Sequence, residues 1–280
     1  MKITYWNLEP HMMSKVYDRN MKVVILAGGF GTRLREETEF KPKPMVEIGN
    51  HPILWHILKN FATWGTKEFI IALGYKGEII KNYFLNYNSN NSDLLVRLMK
   101  DYEIKYFGSH SNEDWNVTLA NTGLSTQTGG RILKLRRYLG NEQFICTYGD
   151  GLADIDIKKL IDFHNSHGKI ATVTAARPAS RFGVLNLDNR GLVLDFAEKG
   201  LENNYVSAGF FVFNPEIFEL LENDSILENE PMSSLVKKGE LMAFKHDGFW
   251  KPMDTLRDVV EMNEIWANGF APWKNWPNEQ

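Results

Sequence analysis

The sequence predicts an α/β fold built on a doubly wound, mostly parallel central sheet, with a second half richer in strands. Three observations predict it. Val23-Val24-Ile25-Leu26-Ala27 is a continuously apolar run that stops at Gly28-Gly29, the pattern of a strand buried on both faces. A helical period and a further apolar run follow, and strand-helix-strand order implies a right-handed parallel crossover. Beyond Lys169, β-rich segments separated by turn residues replace that alternation.

The elements follow in order. Residues 1–20 show no clear period and read as an extension; residues 21–280 read as a single domain, divided into halves 21–168 and 169–280. Over 52–64, Ile53, Leu54, Ile57, Leu58 and Phe61 recur at helical spacing, with Pro52 at the first helical position and Gly65 after the end. Phe69 to Leu73 is the second strand. The polar, Asn-rich tract 87–93 and the tract 109–114 read as loops. Residues 143–148 read as another central strand ending at Gly149-Asp150-Gly151, and 157–167 as a helix with Asp156 as N-cap. Four strands are expected over 171–176, 183–187, 192–197 and 206–213. A last helix over 255–268 precedes a tail with Trp273 and Trp276, large apolar residues whose cover would come from the chain itself or from a second copy in a homo-oligomer.

Composition excludes several classes. Thirty-two Lys plus Arg against thirty-five Asp plus Glu leaves a net charge of -3, which supplies no electrostatic footprint for nucleic acid or an anionic membrane. No run approaches the roughly 18 to 20 apolar residues of a membrane span, and residues 1–20 lack the apolar core of a signal peptide. The one cysteine, Cys146, lies in an apolar run and reads as a buried reduced thiol, which fits the cytoplasm. The seven histidines lack the paired spacing of a zinc helix.

The chemistry resides in a few short stretches. Leu26-Ala27-Gly28-Gly29-Phe30-Gly31-Thr32-Arg33-Leu34 is a glycine-rich turn after a buried strand, where backbone N–H groups can approach an anion and Arg33 adds a charge-assisted donor. Taken alone, such a turn is more often a bare tight turn with a solvated arginine. It is neither a dinucleotide fingerprint, since Leu34 stands where the third glycine belongs, nor a P-loop. In Lys41-Pro42-Lys43-Pro44 the prolines stiffen an extended segment and fix the direction of Lys43. Asp150 lies at the end of a central strand, where open α/β sheets bind ligands, and Asp254 follows Trp250-Lys251-Pro252-Met253. Two converging carboxylates would suit Mg2+. Locally, however, Asp150 can cap a turn, and Asp254 reads first as the N-cap of the last helix.

The order of glycine turn, Arg33, Lys43, Asp150 and Asp254 resembles the sugar nucleotidylyltransferase family over nearly all of 21–276. KPKPMVEI (41–48), WNVTL (115–119), Thr122-Gly123, TGGR (128–131), TYGDGLADIDI (147–157) and GFWKPMDTLRD (248–258) are similar to the glucose-1-phosphate cytidylyltransferases. The resemblance implies a Rossmann-like, doubly wound mixed sheet with a β-rich sugar-binding half, acting on CTP and glucose 1-phosphate with Mg2+. It further implies that Leu26, Ala27, Gly28, Gly29, Phe30, Gly31, Thr32 and Arg33 bind the nucleotide, with Thr126, Arg131 and Gly149 completing the cytidine pocket. Lys43, Glu198 and Lys199 would hold the sugar phosphate, Asp150 and Asp254 the metal, and Arg33, Lys43 and Asp150 would be catalytic. Gly200 stands where the family usually has proline. A relative using dTTP, UTP or GTP, a non-catalytic sugar-nucleotide sensor and a glycosyltransferase of similar topology are the competing expectations.

Overall fold

The computed structural model describes residues 21–98, 102–107, 113–178, 184–187, 193–197 and 205–277, with 184–187 and 193–197 described by backbone alone. The expected extension 1–20, most of the loop 109–114, and Glu198, Lys199 and Gly200 lie outside the described residues.

Seven strands form one sheet: β1 (Lys22–Ala27), β2 (Glu68–Leu73), β3 (Asn116–Asn121), β4 (Phe144–Tyr148), β5 (Ala171–Ala176), β6 (Val206–Phe213) and β7 (Leu241–His246). Their spatial order is β7-β5-β6-β4-β1-β2-β3. Only β6 runs against its neighbours, which makes the sheet mixed and mostly parallel, as expected. The sheet is sandwiched because its central strands carry apolar residues on both faces, as in Val23 to Ala27 and Phe69 to Leu73. Val23 and Ile25 face a layer containing Ile57 and Phe61 of helix α1 (Ile53–Thr63), whereas Val24 and Leu26 face a layer containing Ile132, Leu139 and Phe218. Each such side chain, fully buried, contributes on the order of 1.5–3 kcal/mol.

Helix α2 (Gly77–Leu85) follows β2, and α3 (Thr128–Lys134) follows β3. Helix α4 (Ile157–His167) begins at Asp156, whose carboxylate accepts from the Lys159 N–H at 3.0 Å, and ends at Gly168 in the left-handed conformation. Helices α5 (Glu230–Lys238) and α6 (Leu256–Ala267) complete the set used below. Among the described residues no helix is long and apolar enough to cross a membrane.

Several local expectations change. Pro52 is extended and bridges to Glu47, so it caps α1 rather than opening it. Tract 87–93 is not all loop: Tyr87–Asn90 makes a helical turn, because the Tyr87 hydroxyl accepts from the Trp55 indole at 2.9 Å and its ring meets Tyr83 and Trp115. Asp93–Arg97 and Glu103–Phe107 form a two-stranded ribbon separate from the main sheet, with Leu95, Val96 and Phe107 exposed. The tail is covered by its own chain. Trp273 and Trp276 are buried beside His56 of α1 and Trp266 of α6, so their burial does not require a second copy.

Candidate active site

The parallel register sets the C-terminal ends of β1, β2 and β4 side by side, with Leu26 opposite Tyr148 and Ala27 opposite Leu73. The three chains leave the sheet through Gly28, Gly149 and Gly74. At Gly149 an added Cβ would lie 2.9 Å from the Pro44 ring, and the Gly149 N–H donates to the Leu26 carbonyl at 3.0 Å. Gly31 is left-handed (φ 64°), which turns the chain into a short helical turn at Thr32–Leu34, and its carbonyl accepts from the Thr38 hydroxyl at 3.0 Å. The result is a cleft whose wall includes every residue from Leu26 to Arg33 together with Lys43, Thr126, Arg131, Gly149, Asp150 and Asp254. All of the expected site residues within the described chain therefore line one cleft. Leu124, Ser125, Gln127, Thr128 and Tyr148 line it too and were not expected; the strings TGGR and TYGDG already carried Thr128 and Tyr148.

Lys43 is the centre of the polar side. Pro42 is extended, its ring fixing φ at -68°, but Lys43–Met45 forms a single 3-10 turn rather than continuing the extended segment, because the Met45 N–H reaches the Pro42 carbonyl at 2.8 Å. That turn aims Lys43 into the cleft. Its Nζ donates to Asp150 at 2.6 Å and to Asp254 at 2.7 Å. Burial alone would lower the Lys43 pKa, but the charges and hydrogen bonds of Asp150 and Asp254 outweigh it and hold the ammonium above its ordinary value. Arg33 reaches Asp254 at 3.2 Å from an exposed position, where such a pair contributes little to stability.

Asp254 comes to Asp150 through a two-stranded ribbon. Trp250–Pro252 pairs with Gly151–Ala153, and the Met253 N–H donates to the Asp150 carbonyl at 2.8 Å. The expected capping role of Asp254 is overturned. Thr255 is the N-cap of α6, in a capping box with Asp258, so the Asp254 carboxylate is released toward Lys43 and Arg33.

Arg131 forms the floor on the other side. It is 4% exposed and donates to the carbonyls of Gly28 (2.9 Å), Leu73 (3.1 Å), Gly123 (2.8 Å) and Leu124 (3.3 Å) and to the Thr122 hydroxyl (2.6 Å). None of these partners is a carboxylate, and burial lowers its pKa from the ordinary arginine value. The guanidinium occupies the space that side chains at Gly28 and Gly74 would fill, since their added Cβ atoms would lie 2.2 and 2.6 Å from its Nη1. Thr126 donates to the Thr122 carbonyl at 2.7 Å and accepts from Lys134 at 2.9 Å, which ties that wall to α3.

The profile of the nucleotidyl transferase family matches residues 22–268. The glucose-1-phosphate cytidylyltransferases of Salmonella typhimurium and Salmonella typhi are each 52% identical over 260 residues, covering 91% of this chain and 100% of theirs. The mannose-1-phosphate guanyltransferase of Saccharomyces cerevisiae is 29% identical over 260 residues, 90% of this chain and 66% of its own. Among solved structures, HddC from Yersinia pseudotuberculosis complexed with GMP-PN superposes with a TM-score of 0.64 at 23% identity, covering 88% of this chain and 99% of that one, a likeness of fold. Profile, identity and coverage agree: the chain is an enzyme of the nucleotidyl transferase family and belongs, within it, with the glucose-1-phosphate cytidylyltransferases.

Proposed function

We propose that the cleft transfers the cytidylyl group of CTP to α-D-glucose 1-phosphate, giving CDP-glucose and pyrophosphate. A phosphate oxygen of the sugar phosphate forms a bond to the α-phosphorus while the bond from that phosphorus to the bridging oxygen of pyrophosphate breaks. A phosphate monoester has its second pKa near about 6, so at neutral pH the nucleophile is already ionised and needs no general base. The protein's work is to bring two anions together and to neutralise charge as it develops. One observation carries the reading: Lys43, at the strand ends beside the glycine turn, is held within 2.7 Å of both Asp150 and Asp254.

In this proposal the glycine turn from Leu26 to Gly31, with Thr32 and Arg33, holds the triphosphate, and Arg33 neutralises the departing pyrophosphate. Lys43 bridges the attacking and transferred phosphates. Thr126, Arg131 and Gly149 shape the base side. Glu198 and Lys199 are assigned to the sugar phosphate by resemblance alone.

The same two carboxylates fit Mg2+. Their oxygens converge on one ammonium, at 2.6 and 2.7 Å, so a single cation can be shared between them, and Mg2+ commonly takes one or two protein carboxylates. Bound there, the metal would supply charge neutralisation at the α-phosphate, with water and substrate oxygens completing its shell.

A cytoplasmic location accords with the reduced, buried Cys146. A homo-oligomer is proposed on the apolar surface of the two strands Asp93–Arg97 and Glu103–Phe107 rather than on the tail; light scattering that returns a clean monomer at high concentration would refute it. The deciding assay for the activity is pyrophosphate release by the purified protein with Mg2+, the four nucleoside triphosphates and a panel of sugar 1-phosphates. Release that requires CTP and glucose 1-phosphate together supports the proposal; release with another pair reassigns the substrates, and none with any pair refutes catalysis.

A further inference from the structure

The base side of the cleft is braced from outside by a segment that contributes nothing to its lining. Residues 221–229 cross from the second half of the chain and lie against the start of α3. Contact is so close that only glycine fits: an added Cβ at Gly130 would lie 2.1 Å from the Asn223 carbonyl oxygen, and one at Gly129 would lie 2.9 Å from Ser225. The Gly130 N–H donates to the Ser225 carbonyl at 3.1 Å, and the Leu227 N–H donates to the Thr128 hydroxyl at 2.9 Å.

Glu228 ends this brace. One carboxylate oxygen accepts from the Thr128 hydroxyl at 2.7 Å, and the other accepts from the Tyr148 hydroxyl. Thr128 and Tyr148 both line the cleft, on separate elements, α3 and β4. The Tyr148 ring is confined on its other sides. It meets Phe211 edge-on at 6.1 Å, and it fills the space above Gly209, where an added Cβ would lie 2.3 Å from the ring. With the ring caged, the hydroxyl's partner decides where the side chain rests.

We propose that Glu228 is a positioning residue for the nucleotide, locking Tyr148 and Thr128 as one wall of the cleft before the triphosphate arrives. The inference rests on the reading of the cleft as a nucleotide site. Pre-set walls spare the ordering cost that binding would otherwise meet, so the effect falls on nucleotide affinity. The sugar phosphate, assigned to the side of Lys43, is left alone.

The test is calorimetric titration of the full-length protein with CTP and Mg2+, alongside steady-state kinetics and urea unfolding. Glu228→Ala is expected to weaken CTP binding by about tenfold and raise KM for CTP similarly, with KM for glucose 1-phosphate within about twofold. Glu228→Gln keeps one acceptor oxygen and gains an N–H that can meet the second hydroxyl, so it should restore affinity to within about threefold of wild type. Tyr148→Phe should lose part of the affinity, and the double variant Glu228→Ala/Tyr148→Phe should be no worse than Glu228→Ala alone. Unchanged CTP affinity in Glu228→Ala with a lowered unfolding midpoint would reduce Glu228 to a structural brace and overturn the proposal. So would additive losses in the double variant. Should Glu228→Ala fail to fold, Tyr148→Phe and Thr128→Val decide by the same affinities. A wild-type protein that does not bind CTP takes down the nucleotide reading and this inference together, whereas binding without dependence on Glu228 removes this inference alone.

Discussion

Lys43→Ala separates two consequences of one ammonium. In the structure that group lies 2.6 Å from Asp150 and 2.7 Å from Asp254, so it neutralises two carboxylates that otherwise face each other. During the proposed reaction it would neutralise phosphate instead, and losing one such charge donor costs on the order of 10²-fold in turnover, about 2.7 kcal/mol of barrier. The opposite effect is expected on cation binding without substrate. Two carboxylates whose oxygens share one ammonium lie no more than about 5 Å apart and, unscreened, repel by at least about 3 kcal/mol at an effective dielectric constant near 20, roughly a hundredfold in affinity for a cation that relieves them. Their side chains are 30% and 25% exposed, so screening reduces this, and roughly tenfold tighter Mn2+ binding is expected. Turnover is read by pyrophosphate release at saturating Mg2+, and Mn2+ affinity by water-proton relaxation in the absence of nucleotide. Turnover within about threefold of wild type would remove Lys43 from the mechanism. Mn2+ affinity unchanged or weaker would mean that the metal and Lys43 do not share the two aspartates.

Other perturbations test neighbouring parts. Gly28→Ala would place a Cβ 2.2 Å from a guanidinium already held by five acceptors, so a loss of about 1–3 kcal/mol in urea unfolding is expected together with weaker CTP binding; an unchanged midpoint would show that Arg131 can move aside. Thr255→Ala removes the cap of α6 and should cost about 1 kcal/mol, as should Asp156→Ala at α4, but only Thr255→Ala should also lower turnover, because Asp254 adjoins it; equal turnover in the two variants would separate the cap from the site. Burial lowers the pKa of His56 and of His164 to about 4, below the ordinary 6.5 of the unfolded chain. The unfolded state then binds more protons, so the stability from these two neutral rings is full above about pH 6.5 and is lost as pH falls through about 4. Urea midpoints measured from pH 7.5 to 4 should fall across that window, and the fall should shrink in His164→Gln; a flat profile would show that the rings are not held neutral.

How far the sequence reached depended on the range of the interaction concerned. The sheet strands Val23 to Ala27 and Ala171 to Ala176, and the cap at Asp156, were legible because their causes lie within a few residues: an unbroken apolar run, a β-rich run, and a carboxylate one turn from the N–H that donates to it. The α6 cap went to Thr255 rather than Asp254, since both are good caps and only the partner Asp258, with the pull of Lys43 on Asp254, separates them. The tail showed the same ambiguity. Trp273 and Trp276 announced that they need cover, but whether it comes from α1 and α6 or from another copy is a question of packing.

Sequence by itself determined the alternation of strands and helices, the turn that lifts side chains away from an anion, and the residue types held for phosphate and metal chemistry. All of these follow from local backbone preference and apolar period. Only the tertiary structure decided that Lys43, Asp150 and Asp254 meet at one point, that Arg131 lies beneath Gly28, and that Glu228 holds Tyr148 and Thr128 from behind. Those meetings depend on strand register and on the pairing of Trp250–Pro252 with Gly151–Ala153, and long-range pairing leaves no period in a sequence from which it could be read.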